Sequence, residues 1–170
     1  MPPSRLAVTG TPGCGKTTLC TSLEMPSISV AELAEEHGVA RAVDDMIEID
    51  VHGLVKSLDW SSPTAEPSLV DGHLSHHLPV DGVILLRCHP DILRTRLKER
   101  GYNEAKIEDN VEFEMIGGVW FDISDHIPVL ELDSSNSSVD EIGDKVKRWL
   151  QSSMQPRRPE AVLDWLDDLA

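Results

Sequence analysis

The sequence predicts an α/β fold in which a parallel sheet carries helices on both faces. Short apolar segments alternate with segments of helical periodicity along the chain, as in successive β-α-β units. The run "VILLRC" at 83–88 is almost continuously apolar, which is typical of a parallel strand covered on both sides. A glycine-rich stretch, "TGTPGCGKTT" at 9–18, follows the first apolar segment and precedes the first helical one.

The first half of the chain contains three predicted strands and three predicted helices. The strands are at 5–9, 27–30 and 68–72, and the helices are at 16–24, at "AELAEEHGV" and from about Asp50. Gly38 ends the second helix, and apolar residues at 51, 54, 55 and 58 give the third its helical spacing. The stretch "ARAVDDMIEID" at 40–50 is polar and weakly patterned, so no element is predicted there.

The second half continues the alternation. After the strand at 83–88, Pro90 begins a charged helix, "DILRTRLKER", that Gly101 closes. "YNEAKIEDN" is interpreted as a short polar excursion, followed by a helix from about Val111 that Gly117 and Gly118 interrupt. A last strand at 128–132 and a helix at 138–151, with a capping box from Ser138 and Glu141, complete the domain.

The chain end is predicted to be a separate segment. We assign residues 1–154 to one domain and residues 155–170 to a linker plus an acidic amphipathic helix, "EAVLDWLDDLA". The apolar face of that helix comprises Val162, Trp165, Leu166 and Leu169. Two interpretations stay open: the helix docks on its own domain, or it offers this face to a partner.

The composition limits the classes of function that this protein is expected to have. Thirty acidic and 15 basic residues give a net charge of −15, which disfavours direct binding to nucleic acid or to an anionic membrane. The charge suits a well-solvated surface, a salt-rich cytoplasm or a basic partner. No apolar run is long enough to span a bilayer, and "MPPSRLAVTG" is too short in apolar residues for a signal peptide. We therefore expect a cytoplasmic protein.

The three cysteines give no sign of a disulfide framework or a structural zinc site. Cys14, Cys20 and Cys88 are widely spaced and form no C-x-x-C pair.

The glycine-rich stretch predicts a phosphate-binding loop. Residues 10–17 fit G-x-x-x-x-G-K-[ST], in the strand-to-helix context that this motif requires. Glycines let successive backbone N–H groups point at phosphate oxygens, and the following helix adds its dipole. The nucleotide-binding residues predicted here are Gly10, Gly13, Cys14, Gly15, Lys16, Thr17 and Thr18. Lys16 would bind the outer phosphates and Thr17 would bind magnesium, so the expected ligands are ATP and Mg²⁺.

Two further features favour phosphoryl transfer over the chemistry of a GTPase. The chain lacks N-K-x-D, and "DGHL" is not a D-x-x-G switch. "LVDGH" places Asp71 at the carboxyl end of a strand, where an aspartate can orient magnesium ligands. His73 is close enough to position a water or accept a proton. The other interpretations are a strand-end turn residue for Asp71 and an exposed histidine for His73.

Arg96 and Arg100 lie four residues apart, on one face of the charged helix. Two guanidinium groups at a lid hinge would stabilise a migrating phosphoryl group. The alternative is a solvated helix whose cations pair with neighbouring acids. His76, His77 and His89 match no common metal-ligand spacing, and we expect them to be surface histidines.

Together, "GTPGCGKTT", "VDGH" and "RLKERGYNEAKIEDN" resemble the adenylate kinase isoenzyme 6-type family of small archaeal and nuclear adenylate kinase-like proteins. The resemblance covers residues 4 to about 150. It implies the three-layer P-loop NTPase fold of nucleoside monophosphate kinases, with a monophosphate-binding insertion at about 29–46 and a lid at about 99–109. It also implies ATP contacts from the loop and from Arg100, and a magnesium and catalytic role for Asp71 and His73.

The family resemblance implies two activities and a partner. The family transfers the γ-phosphate of ATP to AMP or related monophosphates, hydrolyses ATP, and binds a basic small-subunit ribosomal protein during maturation of the small ribosomal subunit. Accordingly, one hypothesis is a nucleoside monophosphate kinase and the other is an ATP-hydrolysing assembly switch. A nucleotide-binding module without chemistry is a third possibility.

One departure from the family bears on this choice. Glu35 stands where the family often has an arginine that would hold the monophosphate, and Arg41 is the nearest substitute. If Arg41 does not reach the acceptor phosphate, ATP hydrolysis would dominate. The Gly117–Gly118 break also lies where the family resemblance predicts a continuous helix.

Overall fold

A five-stranded parallel sheet forms the centre of the protein. The computed structural model describes residues 5–169, with the side chain of Leu169 left out. The strands are β1 (Arg5–Thr9), β2 (Ser27–Ser29), β3 (Ala40–Val43), β4 (Met46–Ile49), β5 (Ser68–Asp71), β6 (Gly82–Arg87) and β7 (Val129–Asp133). The sheet order is β2-β5-β1-β6-β7, and β3 and β4 form a separate antiparallel pair.

Six α-helices surround the sheet. They are α1 (Lys16–Ser22), α2 (Val30–Glu36), α3 (Val51–Ser57), α4 (Pro90–Glu99), α5 (Glu104–Met115) and α6 (Val139–Gln151). The predicted Ser138 cap is present, since its Oγ accepts a hydrogen bond from the Glu141 amide at 3.2 Å. The predicted α/β fold with helices around a parallel sheet is confirmed.

Alternating side chains of each central strand enter two separate cores. In β1, Leu6 and Val8 pack on the side of α1, α4, α5 and α6, while Ala7 packs on the side of α2 and α3. In β6, Ile84 and Leu86 join the first core, and Val83 and Leu85 join the second. Because both faces are covered, apolar residues occupy consecutive positions in these strands.

The stretch 40–50, for which no element was predicted, contains a β-hairpin. β3 and β4 pair through a turn in which Asp44 has a φ of 54°, a conformation that aspartate adopts more readily than most residues. Met46 and Ile47 are exposed. Neither strand buries a regular face, so the alternation that identifies a strand in a sequence is weak here.

The segment interpreted as a polar excursion is the first half of α5. Asn103 caps this helix, with its Oδ1 accepting a hydrogen bond from the Lys106 amide at 2.8 Å. The helix ends before Gly117, whose φ is 66°, and is not interrupted there. A Cβ on Gly118 would collide with the ring of Phe113, so the glycine pair lets the chain fold back closely over α5.

The prediction of a C-terminal helix is wrong. Residues 152–166 form turns and extended backbone, and only Asp167–Leu169 form a short 3-10 turn. The segment nevertheless lies against its own domain, since Trp165 is buried and the Leu163 amide donates to Glu131 Oε1 at 2.7 Å. Individual residues of the segment make these contacts, and no continuous apolar face of a helix is involved. Residues 1–4 and 170, and the Leu169 side chain expected on the helix face, lie outside the described residues.

Between residues 5 and 169 we find no helix that is both long and apolar enough to cross a membrane.

Candidate active site

The predicted phosphate-binding loop connects β1 to α1 at the carboxyl edge of the sheet. Gly10 has a φ of 147°, and a Cβ at this position would lie 2.5 Å from the carbonyl oxygen of Leu86 in β6. Only glycine lets the loop pass this close to the neighbouring strand. The loop is closed by a hydrogen bond from the Cys14 amide to Thr11 O at 3.1 Å.

Cys14 contributes backbone to this loop, and its thiol faces the protein interior. Burial raises the pKa of Cys14 well above its usual range, so the thiol stays protonated and unreactive at neutral pH. Cys20 and Cys88 are likewise buried and free.

Lys16 is folded over the loop. Its Nζ donates hydrogen bonds to Gly10 O at 2.9 Å and to Thr11 O at 3.2 Å. Desolvation lowers the pKa of Lys16, while nearby acidic groups, including Asp71, oppose that shift. The ammonium is therefore held beside the loop, in a position to bind an anionic group that enters it.

Thr17 and Asp71 meet although 53 residues separate them in the sequence. Thr17 is in the first turn of α1 and Asp71 is the last residue of β5. The parallel pairing of β5 with β1 brings these ends to the same edge, and Thr17 Oγ1 donates to Asp71 Oδ2 at 2.9 Å. A hydroxyl and a carboxylate oxygen are the ligand types that Mg²⁺ prefers, so this pair fits a hydrated magnesium ion.

Two cavities border the loop at different residues. The first, of about 370 Å³, is lined by Gly13, Cys14, Gly15, Thr18, Arg96, Arg100, Ser134 and other residues. The second, of about 560 Å³, is lined by Gly10, Lys16, Thr17, Asp71, His73, Arg100, Lys106 and other residues. Arg100 borders both cavities. The predicted site residues are thus divided between two neighbouring spaces that share one edge.

Arg96 and Arg100 differ in what they contact. Arg96 donates to Gly13 O at 3.2 Å, to Ser134 Oγ at 3.2 Å and to Ser134 O at 2.8 Å. It therefore ties the phosphate-binding loop to the end of β7. Arg100, at the carboxyl end of α4, lies where the two cavities meet.

His73 follows Asp71 after one glycine and lines the second cavity. Desolvation lowers its pKa, and the charges of Lys16 and His77 lower it further. The ring is accordingly neutral near pH 7, as a hydrogen-bonding or proton-accepting group must be.

The three histidines expected at the surface, His76, His77 and His89, have different environments. His76 is buried, which contradicts the expectation of a surface histidine, while His77 is exposed. His89 is partly buried and caps α4, accepting a hydrogen bond from the Asp91 amide at 3.2 Å. No sequence pattern indicated this buried position, because His76 lies in a short 3-10 turn without periodicity.

Sequence reasoning missed the contribution of α5 to the second cavity. Tyr102, just before the helix, and Lys106 and Asn110 on it line this space. The four-residue spacing of Lys106 and Asn110 was a usable signal, but the segment had been interpreted as irregular. Arg41, the suggested substitute for a monophosphate-binding arginine, is not among the residues lining this cavity and pairs with Glu48 at 2.9 Å.

Comparisons with known proteins find relatives over most of the chain. A family model described as an AAA domain matches residues 6–117. A Pyrococcus abyssi protein named "Putative adenylate kinase" is 36% identical, over 94% of this chain and 90% of that protein. A protein of the same name from Archaeoglobus fulgidus is 36% identical, over 96% of this chain and 93% of that protein.

Solved kinase structures share the fold at low identity. A gluconokinase from Sinorhizobium meliloti has a TM-score of 0.54 at 16% identity, covering 90% of this chain and 94% of that chain. A sugar kinase from Janibacter has a TM-score of 0.58 at 13% identity, covering 90% of this chain and 97% of that chain.

Proposed function

This chain belongs to the adenylate kinase-like family, and from that premise we propose that it transfers the γ-phosphate of ATP to AMP or a related nucleoside monophosphate. The observation that carries the proposal is a pair of cavities that share Arg100, the first bordered by Gly13 and Gly15 and the second by Lys16 and Thr17. A kinase with two nucleotide substrates needs two such spaces, joined where the phosphoryl group moves.

We assign the first cavity to ATP. The loop backbone at Gly13, Cys14 and Gly15 borders it, together with Thr18, so a nucleoside there would extend its phosphates onto the loop amides. Arg96 would keep the loop and Ser134 in register during this binding, since all three of its hydrogen bonds go to those two partners. Its contribution would be positioning rather than contact with the reacting phosphorus.

We assign the second cavity to the acceptor. The cationic side chains lining it are Lys16, Arg100 and Lys106, so Lys106 and Arg100 are placed to bind the acceptor phosphate. Lys106 Nζ is 4.5 Å from the centroid of the Tyr102 ring, and this contact would hold the ammonium near the cavity. The lid expected at 99–109 and the insertion expected at 29–46 would then cover this space from two sides.

The chemistry follows from these positions. An oxygen of the acceptor phosphate attacks the γ-phosphorus, the bond to the β-bridging oxygen breaks, and ADP leaves with that electron pair. No general base is required, because the acceptor phosphate is already anionic at neutral pH. Lys16 and Arg100 would stabilise the charge on the migrating group. Thr17 and Asp71 would hold Mg²⁺, which when bound neutralises charge on the phosphate oxygens.

A second candidate function has its own supporting observation. Glu35 is exposed and Arg41 pairs with Glu48 outside the second cavity, so the acceptor has one arginine fewer than the resemblance implied. A weakly held acceptor would leave ATP hydrolysis as the main reaction, with His73 positioning the water. Such a protein would act as an assembly switch for a basic small-subunit ribosomal protein, a partner that the net charge of −15 suits.

The substitution Lys16→Met tests both functions. We expect ADP formation from ATP and AMP to fall by roughly a thousandfold, because the substitution removes the main charge on the outer phosphates. Lys147→Met, on the exposed side of α6, is the matched control and should retain full activity. Wild-type turnover by the Lys16 variant would contradict the assignment of the loop.

The two candidates separate in an assay of ADP formation by the wild-type protein, with and without AMP. A kinase forms ADP faster when AMP is added, whereas a switch forms it at the same rate. A screen of other monophosphates as acceptors would then define the substrate range.

A further inference from the structure

A second cluster of metal-ligand side chains lies in the wall of the second cavity, apart from Thr17 and Asp71. His76 and His77 belong to a 3-10 turn at Ser75–His77, and Asp122 ends the 3-10 turn at Gly118–Asp122. Asp122 Oδ2 is 4.0 Å from Nε2 of each histidine. One ligand atom from each of the three residues lies within 4.8 Å of the other two.

His76 has a buried nitrogen without a partner. Its side chain is only 3% exposed, and in the described part of the chain its Nε2 makes no hydrogen bond. An unpaired buried polar atom costs roughly 1–3 kcal/mol, so native structures rarely keep one without a reason. Because this nitrogen is within 4.0 Å of Asp122 Oδ2, it is directed into the cluster.

The other nitrogen of His76 sets which form of the ring is available. Nδ1 is 2.7 Å from Thr9 Oγ1, and that hydroxyl is also 3.4 Å from the carbonyl oxygen of His73. If the Thr9 hydroxyl donates to the carbonyl oxygen of His73, its oxygen can accept a hydrogen bond from Nδ1–H of His76. Nε2 of His76 then keeps a free lone pair. This is the arrangement by which a neighbouring group prepares a histidine for metal binding.

The charge state of His76 is compatible with that role. Desolvation lowers the pKa of His76 to about 4, with a further contribution from His77 and an opposing one from Asp122. The ring is therefore neutral at pH 7, and only a neutral imidazole can bind a metal ion.

We propose that His76, His77 and Asp122 form a binding site for a divalent transition-metal ion, with Zn²⁺ as the best-fitting example. Two imidazoles and one carboxylate are the ligand set of many zinc sites that keep an open position, whereas Mg²⁺ prefers oxygen ligands alone. Bonds of about 2.0–2.1 Å in a tetrahedral site require ligand atoms roughly 3.4 Å apart. The present separations, 4.0 Å from Asp122 to each histidine and no more than 4.8 Å between any two of the ligand atoms, require the ligands to close by about one ångström.

The ligands that can move to close the site are on the exposed side of the cluster. The side chains of His77 and Asp122 are 33% and 49% exposed, so both are free to turn toward the fixed nitrogen of His76. All three residues line the cavity that also contains Lys16 and Arg100. The open coordination position would therefore face this cavity and be accessible to water or to a small anion.

Titration with Co²⁺ tests the site without any nucleotide. We would titrate the full-length, tag-free, metal-stripped protein while recording visible absorption, and then displace Co²⁺ with Zn²⁺. The expected result is one saturable Co²⁺ ion per chain, with the absorption bands of a site of low coordination number. Because no turnover is measured, failure here is distinct from failure of the kinase proposal.

The exposed ligands supply the diagnostic variants, since substitution of the buried His76 risks unfolding the protein. We expect His77→Ala and Asp122→Asn each to weaken Co²⁺ binding by at least about tenfold, as loss of one ligand from a three-residue site should. His52→Ala, an exposed histidine on α3, should bind as the wild type does. Absence of saturable binding, or wild-type affinity in the His77 and Asp122 variants, would overturn the proposal.

Discussion

The two sides of the phosphate-binding loop are built in different ways. The side toward the first cavity places residues 13–15 and Thr18 of the local motif beside residues of α4, α6 and the segment after β7, including Arg96 and Ser134. The side toward the second cavity combines residues from β5, two 3-10 turns, the hairpin and α5. The phosphate-binding backbone of the first side is a local motif, although its other walls come from distant segments, whereas most of the second side exists only after distant segments have folded together.

This difference has a consequence for function. A contiguous loop between buried elements presents its amides in one arrangement, whichever acceptor the protein uses. Some residues that border the second cavity are exposed, such as Met46 of the hairpin. Substitutions at such residues can change which ligand binds there and leave the core intact. Specificity for the acceptor should therefore be set on the second side.

After Lys16→Met, the largest expected effect comes from Asp71, whose carboxylate accepts a hydrogen bond from Thr17 of the loop. We expect Asp71→Asn to reduce phosphoryl transfer by about a hundredfold or more, because it removes the charge that would orient the metal beside Thr17. Steady-state kinetics as a function of magnesium concentration would measure this. Asp144→Asn, on the exposed face of α6, is the control, and an equal loss there would indicate a general charge effect.

A stability measurement tests the buried carboxylate that supports the phosphate-binding loop. Glu114 is buried and accepts hydrogen bonds from Arg87 Nε at 2.8 Å, Thr11 Oγ1 at 2.7 Å and Trp165 Nε1 at 3.0 Å. We expect Glu114→Gln to lower the free energy of unfolding by about 3 kcal/mol, because the buried Arg87 guanidinium loses one of its two carboxylate partners and keeps only Glu131. Urea unfolding would measure this.

Glu112→Gln provides the comparison for that measurement, since Glu112 is exposed on the same helix. A loss below about 0.5 kcal/mol is expected for it. Equal effects of the two substitutions would contradict a special role for the buried carboxylate.

The second side is tested by two cations with different positions. Lys106→Ala should raise the KM for AMP about tenfold, the loss expected for one hydrogen bond to a charged group. Arg41→Ala should leave that KM unchanged within about twofold, because Arg41 pairs with Glu48 on the exposed hairpin. The opposite order of effects, measured in a coupled assay, would assign the acceptor phosphate to Arg41.

The smallest expected effect concerns the chain end. Trp165→Phe keeps an aromatic ring, smaller than the indole, but removes the hydrogen bond to Glu114 Oε1, and we expect a loss of about 1 kcal/mol in unfolding free energy. Thermal unfolding followed by circular dichroism would detect it. A Trp165→Phe protein as stable as the wild type would show that the terminal segment contributes only by covering the surface.

Errors in the sequence predictions cluster where structure depends on distant contacts. The hairpin at 40–49 was missed because it buries little of either face, and pairing between its two strands stabilises it. The C-terminal residues have helical periodicity, but the Glu131 carboxylate binds the Leu163 amide and Trp165 reaches Glu114. These tertiary contacts outweighed a weak local preference.

The sequence alone determined the alternation of strands and helices, the two-faced apolar strands and the phosphate-binding loop. Each of these depends on neighbours within a few residues, so its signal is contiguous. Only the tertiary structure decided that Thr17 meets Asp71, that Glu114 joins the loop to Trp165, and that His76 and His77 face Asp122. These contacts follow from strand order and helix packing, which bring together residues that no local pattern relates.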